Sequence, residues 1–90
     1  MAAQGTTTVN FGAKATDTSV AVASAGITGG QLVEAWIFPA ATASNTVDNH
    51  WVETIHVVAG NVQAGVGFTI YAKVDEGFGH GIFNVGWVYN

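Results

Sequence analysis

The sequence predicts an all-β fold, a single six-stranded antiparallel β-sandwich or small barrel that occupies residues 1–90. A chain of 90 residues suits one domain. Its twelve glycines and its many valine, threonine and isoleucine residues disfavour helices and favour pleated strands. Short apolar runs recur about every ten to fifteen residues with turn residues between them, a spacing typical of sandwiches and small barrels.

The first half of the chain contributes three predicted strands. Residues 6–11 and 18–23 form two short ones, rich in threonine and valine. Residues 32–38 form the third, which ends at Pro39 because proline has no N–H to donate to a β-ladder. The small and polar residues 40–49 follow as a loop. No segment shows a convincing helical pattern, so we expect no helix.

The second half contributes three more predicted strands. The first covers residues 51–59 and is expected to close in a turn at residues 60–61. In residues 66–74 apolar and polar side chains alternate, which predicts one face in the core and one facing solvent or a partner. Residues 82–89 alternate similarly, with both faces covered. Because the glycine-rich residues 75–81 suit a hairpin loop, we expect the last two strands to pair with each other.

The composition excludes several classes of function. Charged residues make up 9% of the chain and apolar residues 49%, so we expect neighbouring subunits to cover much of the surface. Lys14 and Lys73 are the only cations and the net charge is −4, which argues against nucleic-acid binding and against a polybasic membrane anchor. There is neither a secretory signal nor an apolar run of about 18 residues, so we expect cytoplasmic synthesis and no membrane insertion. The absence of cysteine excludes disulfides and thiolate metal sites.

Residues that could carry catalysis or bind metal are few. A metal site would have to use His50, His56 and His80 with nearby acids. On a straight strand about 20 Å separates His50 from His56, which is too far for one ion. No serine lies in a nucleophile-elbow sequence, and the adjacent acids Asp75 and Glu76 are expected to be solvated at a loop tip. We therefore predict that the chain is not an enzyme and has no catalytic site, cofactor or metal.

Aromatic side chains are the most informative candidates for binding. The chain has three tryptophans, two tyrosines and five phenylalanines, and aromatic residues are enriched at the centres of protein interfaces. We expect some of them to fill the core and others to make contacts. Those predicted for the core are Phe68, Trp87 and Trp36. The residues predicted for an interface are Tyr71, Trp51, Phe78, His50 and His80.

The end of the chain resembles a known lectin family. The segment GFTIYAKVDEGFGHGIFNVGWVYN is similar to the closing strands of H-type lectin domains, with a glycine-phenylalanine opening, a loop, and a strand ending in valine and an aromatic residue. The resemblance implies a six-stranded antiparallel sandwich that associates as a trimer. The sugar sites of that family typically include an arginine, and this chain has none, so no sugar-binding residues are carried over.

A longer part of the chain resembles virion proteins. The runs QGTTTVNFGAKATDTSVAV and LVEAWIFPAATASNTVDNHWVETIHVVAGNVQAGVGFTIYA are similar to small proteins that tailed bacteriophages encode among their virion genes. The resemblance implies a structural protein made in the host cytoplasm and located in the virion. Specifically, we expect a homotrimeric head decoration or cement protein. Its expected partners are further copies of itself and the major capsid protein or other virion proteins.

Two other functions stay open at this point. The first is recognition of host surface glycans by a module of a tail fibre or spike, through the loops at residues 48–51 and 76–80. The second is a small hydrolase that would depend on Asp75, Glu76 or His80.

Overall fold

The computed structural model describes residues 3–90 of the chain. Six strands and one short helix follow in the order β1 Ala3–Asn10, β2 Asp17–Ala23, β3 Val33–Ile37, α1 Val47–Val52, β4 Ile55–Gln63, β5 Gly67–Val74 and β6 Ile82–Tyr89. The strands form two antiparallel sheets of three strands each, in the orders β1-β6-β3 and β2-β5-β4. Residues of both sheets share one buried cluster, so the predicted all-β antiparallel sandwich is confirmed.

The core lies between the sheets and is built from alternate residues of the strands. Phe83 and Val85 of β6 and Phe68 and Ile70 of β5 are each at most 3% exposed and belong to one apolar cluster. Burying one such side chain stabilises the fold by about 1.5–3 kcal/mol. The alternation predicted for the last two strands is therefore confirmed, except at Val66, which precedes β5 and is 61% exposed.

The last two strands do not form the hairpin that the sequence predicts. β5 is the central strand of one sheet and β6 is the central strand of the other. Residues 75–81 therefore cross between the sheets, and Gly77 and Gly81 take positive φ values of 71° and 75° there. Gly79 exchanges two backbone hydrogen bonds of 2.8 and 3.1 Å with Ala15, which ties this crossing to the connection between β1 and β2. Glycine serves a hairpin loop and a crossing equally well, so its presence did not distinguish them.

A short helix stands where the sequence predicts a loop. α1 follows Thr46, whose side-chain oxygen accepts a hydrogen bond of 3.2 Å from the Asn49 N–H and so caps the first turn. Asp48 lies in that first turn, where a carboxylate interacts favourably with the helix dipole. No helix among residues 3–90 is long and apolar enough to cross a membrane.

The helix changes the bounds of the strand that follows. β4 begins at Ile55, not at residue 51 as predicted, and it continues through residues 60–61 to Gln63. A shift of register marks a β-bulge between Gly60 and Gln63. The bulge absorbs the glycine and asparagine that were predicted to form a turn, and the actual turn lies at residues 64–66.

The three remaining predicted strands are confirmed with small shifts at their ends. β1 and β2 begin earlier than predicted, at Ala3 and Asp17. β3 is shorter than predicted and covers Val33–Ile37, so it ends two residues before Pro39. These strands place their outward-facing residues on the outer faces of the two sheets.

Candidate functional site

His50, a predicted interface residue, lies in the core and is 1% exposed. Its Nδ1 lies 2.7 Å from the Thr46 carbonyl oxygen, and its Nε2 accepts a hydrogen bond of 2.9 Å from the Asn84 N–H. Because Nε2 is an acceptor, the proton of the neutral ring sits on Nδ1 and is donated to Thr46. The ring also meets Phe83 edge-on, with 5.0 Å between centroids. Since so buried a residue offers no surface to a partner, we correct its predicted place: His50 holds α1 on β6.

The His50 ring also replaces a backbone carbonyl as the hydrogen-bond acceptor at the end of β3. The Phe38 N–H donates to the Asn84 carbonyl oxygen at 3.0 Å, one residue beyond the end of β3. In a regular antiparallel pair the Asn84 N–H would donate back to the Phe38 carbonyl. Here it donates to His50 Nε2. The Asn84 N–H of β6 is thus hydrogen-bonded even though β3 ends before Pro39.

Polar side chains fix the segment before α1 on the start of β6. Asn45 is 3% exposed, and its Nδ2 donates to the carbonyl oxygens of His80 and Ile82, both at 3.0 Å. The Ser44 hydroxyl accepts from the Ile82 N–H at 2.8 Å, and the Thr42 hydroxyl donates to the Ile82 carbonyl at 2.7 Å. Satisfied polar networks of this kind make a structure rigid. The helix is therefore held in one position.

This fixed helix presents apolar side chains to solvent. Trp51 is 72% exposed, Val52 67% and Val47 46%, and we call these three residues the helix tip. Single exposed apolar residues are common on protein surfaces, whereas contiguous apolar patches mark contact sites. The helix tip is the first candidate contact surface.

The loop of residues 75–81 lies at the same end of the sandwich as the helix tip. Phe78 is 57% exposed, and the Lys14 ammonium lies 4.3 Å from its ring centroid in a cation–π contact. His80 is also exposed, while its carbonyl oxygen accepts the hydrogen bond from Asn45. Three of the predicted interface residues are therefore exposed at this end: Trp51, Phe78 and His80.

Tyr71 lies on the outer face of sheet β2-β5-β4 and is 42% exposed. Ser19 of β2 and Val58 of β4 flank it in register, and Val58 is 61% exposed. We call Ser19, Tyr71 and Val58 the central row. The next row contains only small or short side chains: Ala21, Thr69 and Gly60. The outer face of this sheet is therefore uncharged and shallow at its centre.

Charged side chains border this face at the end near α1. Asp17, Lys73 and His56 form one cross-strand row, and His56 Nε2 lies 2.7 Å from Asp75 Oδ1. An open depression of about 590 Å³ runs from this row to Tyr71. An uncharged centre with a charged border is the arrangement found in protein interfaces. The outer face of β2-β5-β4 is the second candidate contact surface.

Trp36 was predicted to lie in the core, and this prediction is wrong. Trp36 is 43% exposed on the outer face of the other sheet, β1-β6-β3, and Phe38 on the same face is 44% exposed. The Trp36 ring lies over Gly86, where an added Cβ would come within 2.7 Å of Nε1. A groove beside the ring is lined by Gln4 and Thr6 of β1. We call Trp36, Phe38, Gln4 and Thr6 the aromatic platform.

The three histidines that could bind a metal lie apart from one another. His50 is in the core, His56 is on the outer face of β2-β5-β4 and His80 is in the loop of residues 75–81. Asp75 is paired with His56. Across residues 3–90, no group of three or more histidine, cysteine, aspartate or glutamate side chains is placed to hold a metal ion.

Exposed aromatic side chains thus define three surfaces: the helix tip, the outer face of β2-β5-β4 and the aromatic platform. Comparison of the chain with protein-family models, with curated proteins and with solved structures finds no match. The resemblances to virion proteins and to H-type lectin domains therefore stay predictions.

Proposed function

We propose that this chain is a structural, non-catalytic protein of a bacteriophage particle, made in the host cytoplasm, that decorates the capsid as a homotrimeric cement protein. One observation carries the proposal. Ten large apolar side chains among residues 3–90 are at least 42% exposed on a chain with only 9% charged residues. Removing such surface from water favours association, so the chain gains stability from neighbouring subunits.

The outer face of β2-β5-β4 is the proposed contact between copies. A stable interface buries about 800 Å² of each partner, and the total surface of the chain is 5192 Å². Three copies around an axis parallel to the strands bring their central rows to one level. Tyr71 of each copy then meets uncharged side chains, and the row of Asp17, Lys73 and His56 lies at the end of the contact, one alternate position or about 7 Å further along the strands. This arrangement avoids burying an unpaired charge.

The helix tip is the proposed contact with the major capsid protein or other virion subunits. Trp51 is the most exposed aromatic residue among residues 3–90, at 72%. Tryptophan is enriched among the residues that dominate binding energy. Because Asn45 and His50 already hold α1 in place, docking does not have to order the helix.

The contact between copies is tested with two matched substitutions. Tyr71 and Trp36 are 42% and 43% exposed on opposite sheets. We expect light scattering after size exclusion to give the wild-type protein about three times the chain mass of 9.3 kDa. Tyr71→Ser should yield monomer and Trp36→Ser should remain trimeric. A monomeric wild-type protein, or equal effects of the two substitutions, contradicts the proposal.

The capsid contact is tested with particles that lack this protein. Trp51→Ser removes the centre of the helix tip, and Leu32→Ser, at a position that is 81% exposed at the opposite end of the sandwich, is the control. We expect Trp51→Ser to weaken attachment at least about tenfold, as for an interface hot spot. Leu32→Ser should attach as the wild-type protein does. Equal attachment of both variants argues against capsid decoration through the helix tip.

Recognition of host glycans by a tail fibre or spike module is the second candidate function. The aromatic platform favours it, because an exposed indole beside free amide and hydroxyl groups suits a sugar. The sequence suggested residues 48–51 and 76–80 for this role, but residues 48–51 lie in α1 and include the buried His50. Binding of the purified protein to an array of glycans tests this function directly.

A further inference from the structure

We infer that the aromatic platform binds a neutral hexopyranose residue of a glycan. This inference rests on glycan recognition, the second of the two proposed functions. It assigns the sugar to the outer face of β1-β6-β3, and not to residues 48–51 of α1 or the loop at residues 76–80. The ring of Trp36 is the surface on which the sugar stacks.

The Trp36 ring is held flat by the strand beneath it. Trp36 of β3, Gly86 of β6 and Thr6 of β1 lie in one cross-strand row. The ring reaches over β6 toward β1, and an added Cβ on Gly86 would meet its Nε1, Cε2 and Cζ2 atoms at 2.7–2.9 Å. One face of the ring therefore packs on the glycine backbone. The other face is open, and its negative π surface attracts the polarised C–H groups on the face of a pyranose.

Free hydrogen-bonding groups surround the open ring. Gln4 and Thr6 line the groove beside it, and Thr8 follows on the same face of β1. None of these three side chains is engaged in a hydrogen bond among the described residues. An amide and two hydroxyls supply both donors and acceptors, which sugar hydroxyls require. Phe38, one residue beyond the end of β3, extends the apolar surface by one alternate position, about 7 Å from Trp36.

The charged residues near the aromatic platform favour a neutral ligand over an anionic one. Glu34 is the only charged residue on this sheet face among residues 3–90, and Val88 separates it from Gln4 in one cross-strand row. Lys14 is engaged with the Phe78 ring, and Lys73 lies on the other sheet. An anionic sugar, such as a sialylated or sulfated one, finds no cation here and meets a carboxylate.

The test begins with an array of neutral, sialylated and sulfated glycans. The neutral glycan bound best is then titrated in its free, monovalent form by NMR, so that avidity does not contribute. We expect Trp36→Ala to weaken binding at least about tenfold and Trp36→Phe to retain most of it. Gly86→Ala, which displaces the ring without removing it, should also weaken binding. Tyr71→Ser, on the opposite sheet, should bind as the wild-type protein does.

The outcomes separate the site from the function. If a neutral glycan binds equally to the wild-type protein and to Trp36→Ala, glycan recognition stands and the platform is not its site. If only anionic glycans bind, the assignment of a neutral ligand is overturned. If no glycan binds, both the inference and glycan recognition fail. Loss of capsid attachment in Trp36→Ala without sugar binding makes the platform a protein contact and overturns the inference.

Discussion

Replacing His50 with leucine tests whether its ring holds α1 on β6. Leucine fills buried space but has no nitrogen, so the Asn84 N–H loses its acceptor at 2.9 Å and the 2.7 Å hydrogen bond to Thr46 is lost. A buried donor left unsatisfied costs about 1–3 kcal/mol. At roughly 0.05–0.15 kcal/mol per residue, a chain of this length is stable by about 5–13 kcal/mol. We therefore expect His50→Leu to lose a large fraction of the free energy of unfolding. The melting temperature should fall by about 4–8 °C for each kcal/mol lost.

His50→Gln is the matched control for this substitution. The glutamine Oε1 can reach the position of His50 Nε2 and accept the hydrogen bond from Asn84, so we expect it to restore about 1 kcal/mol relative to leucine. Urea denaturation followed by tryptophan fluorescence measures the free energy of unfolding. Amide hydrogen exchange adds a local measurement: the Asn84 N–H should exchange faster in His50→Leu, relative to the core amide of Ile70.

Three results would refute this reasoning. The first is a His50→Leu protein that unfolds at the same urea concentration as the wild-type protein. The second is a glutamine variant that is as unstable as the leucine variant, since shape and not hydrogen bonding would then explain the loss. An Asn84 amide equally protected in all three proteins would show that another group accepts its hydrogen bond.

Two further positions, Gly67 and Tyr89, test a close backbone contact and a hydrogen bond, each with its own control. Gly67 has a φ of 152°, and Gly67→Ala would place a Cβ 2.0 Å from the Val22 carbonyl oxygen. We therefore expect the free energy of unfolding, measured in urea, to fall by at least about 2 kcal/mol. Gly60→Ala, with nothing within 4 Å, should stay within about 0.5 kcal/mol of the wild-type protein. Tyr89→Phe breaks the hydrogen bond between its hydroxyl and that of Ser24 and should cost about 0.5–1.5 kcal/mol. A double-mutant cycle with Ser24→Ala should then show coupling, and additive losses would contradict a direct bond.

The strands could be predicted because their signal is local. In β5, buried Phe68, Ile70 and Ala72 alternate with the outward-facing Thr69 and Tyr71, so one stretch of sequence shows both the strand and its buried face. The pairing of the strands could not be predicted in the same way. Residues 75–81 carry loop chemistry, and whether such a loop returns to the same sheet or crosses to the other depends on partners distant in sequence.

The candidate surfaces were predictable only in part, for a related reason. Tyr71 was predicted to be exposed from its position in an alternating strand. Trp36 lies outside the core because its ring packs over the backbone of Gly86. Gly86 lies fifty residues away in sequence, so the sequence around Trp36 contains no sign of this packing. His50 was assigned to an interface because α1 was missed. One local signal was present, since Thr46 followed by Asp48 is typical of a helix start, although six residues are too few for a periodic pattern.

The proposed contact between copies and the proposed sugar site lie on opposite sheets, and this separation leads to one more prediction. If the outer faces of β2-β5-β4 meet around the trimer axis, the aromatic platforms of three copies point outward. Three linked sites bind a surface of immobilised glycan more tightly than one site does, by about 10²-fold or more where the spacing allows. Tyr71→Ser, as a monomer, should therefore lose this enhancement in surface plasmon resonance while its affinity for the free sugar stays unchanged. A Tyr71→Ser protein that keeps the enhancement would mean that the copies associate through another face, because the avidity depends on assembly alone.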